Sequence, residues 1–264
     1  MCSFSHTTAR IGVWNLAGYH TISDSKFKNQ INGLSILDVE VIVLVEVKPI
    51  SYLDRLVEGL AQKGCLYRGI ILQQHSDLNI GVLVKEGIEF SDPEFIDGSD
   101  LNDDERRKAM ALDIKIGKFD FHLIAVHLKS GRQKTQQKIR DGQCRVIGDY
   151  IKTYREHHRT KPIVLLGDFN MIPGQDVSNF HYLGGDDIMD FLSSWDLQAR
   201  YSHILERGRA NLLDGFAITR TYTKEYIRGS LQLFPMHWTM EMGREKFRED
   251  VSDHLPFVAT FRID

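Results

Sequence analysis

The 264-residue sequence predicts a protein of the α/β class, with α+β character, in which two packed β-sheets are covered by helices. Three observations support this prediction. The chain opens with a strand, helix, strand pattern, its middle is a series of strand patterns, and further helix and strand patterns follow to the C-terminus. Because no internal repeat, low-complexity tract or linker rich in Pro, Ser and Gly interrupts this order, one domain over residues 1–264 is expected.

Nine segments have the length and apolar content of β-strands. In chain order they are residues 10–16, 41–47, 68–73, 80–85, 110–116, 119–128, 163–166, 212–219 and 255–262. The second of them is apolar except for Glu46, which is typical of a strand that is buried on both faces. Gly117 separates the fifth from the sixth and predicts a hairpin turn.

Three segments have the apolar spacing of helices. They are residues 26–37, 51–63 and 135–156. The second is the strongest, because Ser51 and Asp54 can cap its start and Gly64 can end it. The first is weak, and Gly142 and Gly148 weaken the third. These helices are expected to cover the sheets.

Composition and charge are those of an ordinary soluble protein, with 42% apolar and 26% charged residues, a net charge of −3 and a pI near 6.4. This balance argues against a general nucleic-acid coat protein, but not against an enzyme with a local basic channel. No segment approaches the length of a membrane span, and no secretory signal is visible, although a removed signal would leave no trace. The three cysteines have neither disulfide nor metal spacing. We therefore expect no membrane partner and a reducing, cytoplasmic location.

Two stretches of the chain have a strong local charge. Residues 86–105 carry nine acidic and no basic side chains, whereas residues 129–145 carry six basic side chains and one acidic one. Such runs are commonly solvated surface. The basic stretch directly follows a candidate catalytic strand, so it is also a candidate path for a phosphate backbone.

Eight polar residues lie within or at the ends of the apolar strand patterns. They are Asn15, Glu46, His127, Asp168, Asn170, Asp214, Asp253 and His254. Each alone has an ordinary structural explanation, such as an edge position, a turn or a hydrogen-bonded core histidine. Several buried carboxylates together need a common positive partner, because an unpaired buried charge is costly. Carboxylate, amide and imidazole groups at strand ends therefore indicate a hard divalent cation and the cleavage of an ester.

Six short motifs that contain these residues resemble, in order, those of the endonuclease/exonuclease/phosphatase superfamily, which includes the pancreatic deoxyribonuclease and exodeoxyribonuclease III branches. They are Val13-Trp14-Asn15-Leu16, Leu44-Val45-Glu46-Val47, Ala125-Val126-His127-Leu128, Gly167-Asp168-Phe169-Asn170, Leu213-Asp214-Gly215-Phe216 and Ser252-Asp253-His254. Any one motif is weak, but six in order over almost the whole chain are specific. The resemblance implies a four-layer α/β sandwich, in which two packed mixed β-sheets are flanked by helices and the active site lies at one end of the sheets.

The resemblance also implies roles for the polar residues. Glu46 would be the principal ligand of Mg²⁺ or Mn²⁺, with Asn15 and Asp253 contributing directly or through water. Asp168 would orient or deprotonate the attacking water. Asn170 would hold either that water or the phosphate.

Two histidines would complete the catalytic set. His254 would donate to a phosphoryl oxygen, with Asp214 fixing its tautomer and favouring its charged form. His127 stands where the deoxyribonuclease branch has a histidine, and a protonated imidazole there would assist the leaving oxygen.

Substrate contacts are also implied for residues outside the six motifs. Arg107 matches a phosphate-contacting arginine of the deoxyribonuclease branch, although Arg106 and Lys108 flank it and are alternatives. Lys129 and Ser130 follow the catalytic histidine and would meet the substrate backbone, in a sequence that also resembles the tyrosyl-DNA phosphodiesterase branch. A solvated turn explains these two residues equally well.

These residues predict a divalent-metal-dependent phosphodiesterase that hydrolyses nucleic acid, most simply DNA, as an endonuclease or an exonuclease. The alternative is a phosphoesterase for a small or lipid phosphate, of the phosphoinositide or sphingomyelin type, because one site chemistry serves both classes. A third possibility is an inactive binding module with the same fold, which the complete polar set disfavours. The chain lacks the sequence patterns of abasic-site endonucleases and inositol-polyphosphate phosphatases near Asp214.

Overall fold

Two packed β-sheets form the centre of the protein in a computed structural model that describes residues 7–20, 22–185, 187–192, 203–204, 210–211 and 213–264. The strands are β1 Thr8–Asn15, β2 Val41–Val47, β3 Tyr67–Ile71, β4 Asn79–Lys85, β5 Glu89–Phe90, β6 Glu94–Phe95, β7 Met110–Ile116, β8 Phe119–His127, β9 Ile163–Asp168, β10 Met189–Phe191, β11 His203–Ile204, β12 Ala210–Asn211, β13 Asp214–Thr219, β14 Gln232–Leu233 and β15 Phe257–Arg262. The helices are α1 Asp24–Leu37, α2 Tyr52–Ala61, α3 Lys134–His157, α4 Val177–Tyr182, α5 Met236–Thr239 and α6 Arg244–Asp250.

Both sheets are mixed, as the sequence predicts. The first sheet has the strand order β14-β15-β1-β2-β4-β3, and the second has the order β10-β13-β9-β8-β7-β5, with β6 also paired to β7. Each sheet contains a parallel pair, β1 with β2 and β8 with β9, beside antiparallel pairs. The parallel pairs matter for the site, because the carboxyl ends of β1, β2, β8 and β9 then lie at one end of the sandwich.

The alternation of side chains along β8 shows how the two cores arise. Phe121 and Leu123 belong to the large core, which contains residues of both sheets, whereas Ile124 and Val126 belong to a second core on the outer face of the second sheet. Successive side chains of a strand point to opposite faces. A strand that is apolar at every position is therefore buried on both sides, which is what the uninterrupted apolar runs indicate.

Helices cover both outer faces. Helices α1 and α2 add Leu34 and Leu56 to the large core, and α3 adds Ile147 and Ile151 to the second core. The order of layers is thus helices, first sheet, second sheet, helices. The predicted four-layer α/β sandwich is confirmed.

The predicted strands and helices agree with the structure to within two residues at each described boundary, although residue 212 lies outside the described ranges. One local detail was wrong: Ser51 makes no capping hydrogen bond, while Ser23 accepts from the Lys26 N–H at the start of α1. Gly148, which weakens the helix pattern, has a packing role. A Cβ there would lie 2.0 Å from the Tyr182 carbonyl oxygen, so only glycine allows α3 to approach α4.

Short elements were not predicted. The acidic stretch 86–105 contains β5 and β6, which pair with β7 at the edge of the second sheet. None of the helices among the described residues is long and apolar enough to cross a membrane. Cys65 and Cys144 are free thiols, and Cys2 lies outside the described ranges.

Candidate active site

A cavity of about 520 Å³ opens at the end of the sandwich where β1, β2, β8 and β9 finish. Nine of the eleven predicted site residues line it: Glu46, Arg107, His127, Lys129, Ser130, Asp168, Asn170, Asp253 and His254. The other two, Asn15 and Asp214, lie directly behind the wall and hydrogen-bond to residues that line it. The fold therefore brings together polar residues from seven separate segments of the chain.

Glu46 reaches the cavity because β2 is irregular at that position. The register with β4 shifts between Val45 and Val47, and Glu46 itself has a left-handed φ of 59°. A β-bulge of this kind turns a side chain away from the strand's regular direction. Gly18 faces the bulge, and a Cβ there would lie 1.8 Å from the Glu46 carbonyl oxygen. The strained backbone at Glu46 is thus accommodated by a neighbour without a side chain.

Asn15 connects the two carboxylates nearest to it. Its Oδ1 accepts the Ala17 N–H at 2.8 Å, which fixes the amide orientation because the amide NH₂ group can only donate. Its Nδ2 donates to Glu46 Oε1 at 3.2 Å and to Asp168 Oδ2 at 3.1 Å. Asn15 thus orients both carboxylates, and its Oδ1, which accepts one hydrogen bond, keeps a second lone pair for the ion contact that the sequence predicts.

Buried hydrogen bonds tie the Ser252-Asp253-His254 segment to β1. Ser252 Oγ donates to the Asn15 carbonyl at 2.6 Å and accepts the His254 N–H at 3.0 Å. Trp14 Nε1 donates to the His254 carbonyl at 2.9 Å. Gln30 joins the same two segments from α1, donating to the Leu16 and Val251 carbonyls. Asp253 and His254 are therefore held rigidly although they precede β15 rather than lie in it.

Glu46 and Asp253 offer oxygen atoms that suit Mg²⁺ or Mn²⁺. Glu46 Oε2 accepts the Tyr19 N–H at 3.2 Å. Burial alone would raise the pKa of Asp253, but the hydrogen bond from His203 and the charges of His254, His203 and Lys26 hold that pKa below its usual range. Asp253 is therefore ionised at neutral pH, and the donor set fits a hard divalent cation.

His254 and Asp214 form a buried pair, with 2.6 Å between Nδ1 and Oδ2. Burial alone would lower the pKa of His254, but the charge and hydrogen bond of Asp214, with the charges of Asp168 and Asp253, raise this pKa to about 10. His254 is therefore an imidazolium at neutral pH. Its Nε2 lies 4.0 Å from Asp168 Oδ2, on the cavity side of the ring.

Asp168 ends β9 opposite Asp214, and its side chain is almost fully buried. Burial raises the pKa of Asp168, the charge of Asp214 raises it further, and the charge of His254 opposes the rise. The Asn170 N–H donates to its Oδ1 at 2.9 Å, from a residue whose left-handed φ is 51°. Asn170 Nδ2 donates to the Leu128 carbonyl at 3.1 Å. Asp168 is thus a fixed carboxyl group with an elevated pKa, as a general base requires.

His127 has a different charge state from the one expected. Burial lowers the pKa of His127 well below its ordinary value, and the positive charges of Arg107 and His254 lower it further. Its Nε2 lies 3.7 Å from Glu46 Oε1 and 3.8 Å from Asp168 Oδ2. The lowered pKa favours a neutral imidazole at neutral pH, in contrast to the protonated imidazole that the sequence analysis expects.

Arg107 is the arginine that reaches the cavity. Its Nη2 donates to the Leu128 carbonyl at 3.0 Å, and its buried Nε has no partner among the described residues. Burial lowers the pKa of Arg107, against the charges of Asp168 and Glu46. The flanking alternatives point elsewhere, because Arg106 pairs with Asp103 at 2.8 Å and Lys108 lies 3.9 Å from an Asp100 oxygen.

The basic stretch 129–145 is partly structural. Arg140 is fully buried, pairs with Asp176 at 3.0 Å, and donates to the Lys129 and Gly131 carbonyls. Arg132 pairs with the same carboxylate at 2.8 Å and donates to the Asn170 carbonyl. These hydrogen bonds and ion pairs hold the loop after β8 against the loop after β9. The expectation that the whole stretch would follow a phosphate backbone was therefore wrong for Arg140.

Sequence reasoning missed His203 and Lys26. His203 Nε2 lies 3.4 Å from Asp253 Oδ2, and its ring lies 4.6 Å from that of His254. It belongs to a two-residue strand, which carries no periodic signal. Lys26 is buried and donates to the Ala17 carbonyl at 3.1 Å. Lys26 and Gln30 are one turn apart on the buried face of α1, and this polar pair on an apolar face was a usable signal.

Comparisons with solved structures identify similar folds. TDP2 from Caenorhabditis elegans superposes with a TM-score of 0.71 at 16% identity, over 97% of both chains. TDP2 from D. rerio in complex with a single-stranded DNA product gives 0.69 at 18%, over 97% of this chain and 100% of that one. An endonuclease/exonuclease/phosphatase from Bacteroides vulgatus gives 0.70 at 14%, over 98% and 100%. No protein-family model and no curated protein matches the sequence. The fold is the one that these structures share.

Proposed function

We propose that this protein is a divalent-metal-dependent phosphodiesterase that hydrolyses nucleic acid, most simply DNA, by in-line attack of an activated water. One observation carries the proposal: His254, which is bonded to Asp214, and the carboxyl groups of Glu46, Asp168 and Asp253 converge on a single cavity. A structure with the same fold is a TDP2 complex with a DNA product, which supports the choice of substrate class.

Glu46 and Asp253 would hold Mg²⁺ or Mn²⁺, with Asn15 orienting Glu46 through its amide. An ion held by these residues would supply positive charge that stabilises the negative charge developing in the transition state. The buried Lys26 ammonium group donates to the Ala17 carbonyl, which holds it in place. From there its positive charge acts on the carboxylates of Asp253 and Glu46.

Asp168 would take the proton of the attacking water. Its raised pKa brings it closer to neutrality than an ordinary aspartate, which favours proton transfer at physiological pH. Asn15 and Asn170 each donate a hydrogen bond to it, so its orientation is fixed before substrate binds. Asn170 also faces the cavity and would contact the water or the phosphate.

His254 would donate its Nε2 proton to a non-bridging phosphoryl oxygen and stabilise the charge that develops there. Asp214 keeps it charged and holds the ring. His127 is neutral, so its contribution would be a hydrogen bond rather than a full charge. Arg107, Lys129 and Ser130 line the cavity and would contact phosphate groups.

The test is hydrolysis of supercoiled plasmid DNA by purified protein with Mg²⁺ or Mn²⁺, compared with EDTA. We expect nicking that requires metal, that Glu46→Ala abolishes and that Asp168→Asn lowers by about 10³-fold, within the usual contribution of a general base. Circular dichroism of both variants controls for folding. Metal-independent nicking, or full activity of folded Glu46→Ala, would contradict the assignment.

A second candidate is a phosphoesterase for a small or lipid phosphate. It is favoured by the engagement of Arg132 and Arg140 in internal ion pairs, which reduces the basic surface available to a long phosphate backbone. The cavity volume of about 520 Å³ also lies in the range of small-molecule sites. Salt separates the candidates, because binding to a polyanion weakens steeply with salt whereas turnover of a lipid substrate depends on the lipid surface.

A further inference from the structure

Three side chains at one edge of the cavity form a cluster that the proposed hydrolysis does not fully use. His203, Asp253 and His254 each offer a ligand atom, and these atoms lie within 4.8 Å of one another. His203 Nε2 is 3.4 Å from Asp253 Oδ2, and His254 Nε2 is 4.0 Å from Asp253 Oδ1. His203 comes from β11, which bridges the segment before β15 at His254.

The separations are close to those of a metal site. Zinc bonds of about 2.0–2.2 Å to nitrogen and oxygen place neighbouring tetrahedral ligands about 3.4 Å apart. The 3.4 Å between His203 Nε2 and Asp253 Oδ2 already matches this value. His254 Nε2 lies 4.0 Å from the other oxygen, Asp253 Oδ1, so a common ion requires side-chain rotations that bring the three ligand atoms together from within 4.8 Å of one another.

The ligand chemistry also favours a borderline metal over Mg²⁺. Two imidazole nitrogens and one carboxylate are a common set for Zn²⁺ with one open position, whereas Mg²⁺ prefers oxygen. His254 is already oriented as a ligand, because Asp214 binds Nδ1 and leaves Nε2 facing Asp253. A carboxylate that binds the other ring nitrogen is the usual support of a metal-bound histidine.

We propose that His203, Asp253 and His254 form a second cation site that binds Zn²⁺ in preference to Mg²⁺. An ion there would displace the Nε2 proton of His254 and compete for Asp253. Since the proposed hydrolysis needs both groups, Zn²⁺ would inhibit it. The inhibition rests on the proposed function, whereas the binding does not.

Binding is tested on the metal-free full-length protein with Co²⁺, whose visible absorption is stronger in four-coordinate than in six-coordinate sites and which substitutes for Zn²⁺. We expect one equivalent of Co²⁺ to give intense visible bands that Zn²⁺ removes and excess Mg²⁺ does not. His203→Asn should abolish these bands and weaken binding at least about tenfold, in line with losses in metal sites. His203→Gln provides a second variant if the first does not fold.

Two variants serve as controls. His157→Asn removes an exposed histidine at the end of α3 and should leave the spectrum unchanged. Glu46→Gln removes the main oxygen ligand of the proposed Mg²⁺ position and should leave the Co²⁺ bands in place. Bands that survive in both His203 variants, or that disappear in Glu46→Gln instead, would overturn the site.

Hydrolysis assays separate this inference from the proposed function. A protein that hydrolyses DNA with Mg²⁺ but shows no His203-dependent Co²⁺ bands contradicts the second site alone. A protein with these bands but no phosphodiesterase activity contradicts the proposed function alone. If both are correct, His203→Asn should tolerate at least about tenfold more Zn²⁺ before losing half its Mg²⁺-dependent activity.

Discussion

Two ion pairs in this protein are buried to a similar degree but have different surroundings. Arg140 pairs with Asp176 at 3.0 Å, and His254 pairs with Asp214 at 2.6 Å. All four side chains are almost completely buried. Each pair joins distant segments of the chain, and each lies within or beside the loops that form the cavity. The two pairs differ in the hydrogen bonds that each cation makes besides the one to its carboxylate.

The Arg140 pair has almost all of its hydrogen bonds formed within the protein. Its Nε lies 3.4 Å from Asn179 Oδ1, and Nη1 and Nη2 donate to two backbone carbonyls and to Asp176. Asp176 also accepts from Arg132 and from the Ile172 N–H. With four of its five N–H groups bonded and no exposed surface, Arg140 can hold loops in place but presents no donor to a substrate.

The His254 pair is unsaturated toward the cavity. Nδ1 binds Asp214, while Nε2 lies 4.0 Å from its nearest carboxylate oxygens, on Asp168 and Asp253. A charged donor without a close partner is suited to a ligand that arrives from solvent. The comparison indicates that a buried ion pair stabilises the fold when its donors are bonded within the protein. A buried pair can take part in catalysis when one donor is still available to a substrate.

The largest stability effect is expected from Asp176→Asn. An arginine cannot lose its proton in a protein, so Arg140 would remain charged and buried without a counter-ion. We expect a loss of about 3–5 kcal/mol in the free energy of unfolding, as for other broken buried pairs. Urea unfolding at neutral pH in EDTA measures this loss. Asp149→Asn, at an exposed position of α3, the helix that contains Arg140, should change the free energy of unfolding by less than about 0.5 kcal/mol. A loss below about 1 kcal/mol in Asp176→Asn would mean that the ion pair between Arg140 and Asp176 does not stabilise the fold.

Asp214→Asn should instead affect activity more than stability. His254 can become neutral, so the structural cost is about 1 kcal/mol, comparable with one altered hydrogen bond. The neutral ring keeps its proton on Nδ1 and loses the donor at Nε2, so hydrolysis should fall by about 10²–10³-fold. Parallel measurements of kcat and urea unfolding test this. The control Asp190→Asn changes an exposed carboxylate on the neighbouring strand β10. Equal stability losses in Asp214→Asn and Asp176→Asn would remove the distinction between the pairs.

The sequence predicted the His254 pair better than the Arg140 pair. Asp214 and His254 adjoin strong apolar strands, so their polarity is visible against the pattern. Arg140 lies within a basic stretch and looks like a solvated residue, because nothing local shows that Asp176 will bury it 36 positions later. His203 was missed for a related reason, since its two-residue strand is defined by its neighbours in space rather than by its own sequence.

The same contrast explains the charge of His127. Its position at the end of β8 could be predicted from the strand pattern. Its protonation state could not, because burial, Arg107 and His254 all act on its pKa through the tertiary structure. Strand ends are thus predictable from periodicity, whereas charge states depend on which other groups the fold brings near.

The two pairs should also respond to opposite ends of the pH scale. The pKa of His254 is raised from 6.5 to about 10 in the folded state, so its stabilisation is present below pH 6.5 and is lost as the pH rises toward 10. Burial alone would raise the pKa of Asp176, but its hydrogen bonds and the charges of the arginines lower it, so its contribution is lost in acid. Unfolding free energies in EDTA should therefore fall between pH 6.5 and 10 in the wild type and fall less in Asp214→Asn. If the unfolding free energy of Asp214→Asn fell as steeply between pH 6.5 and 10 as that of the wild type, Asp214 would not be the cause of the raised pKa of His254.

The smallest effect is expected for Arg145, which shares α3 with Arg140 but is exposed and lies over the Tyr182 ring at 3.6 Å. Arg145→Ala should cost roughly 0.5 kcal/mol, the usual value for an exposed cation–π contact. If the substrate is DNA, Lys129→Ala should reduce the salt dependence of binding by about one phosphate contact, and Arg145→Ala should leave it unchanged. Filter binding to a short duplex in Ca²⁺ at several salt concentrations measures both slopes. If both variants reduced the salt dependence of DNA binding equally, phosphate groups of the substrate would lie along α3 beyond the cavity. The structural role of the basic stretch 129–145 would then be confined to the buried Arg140.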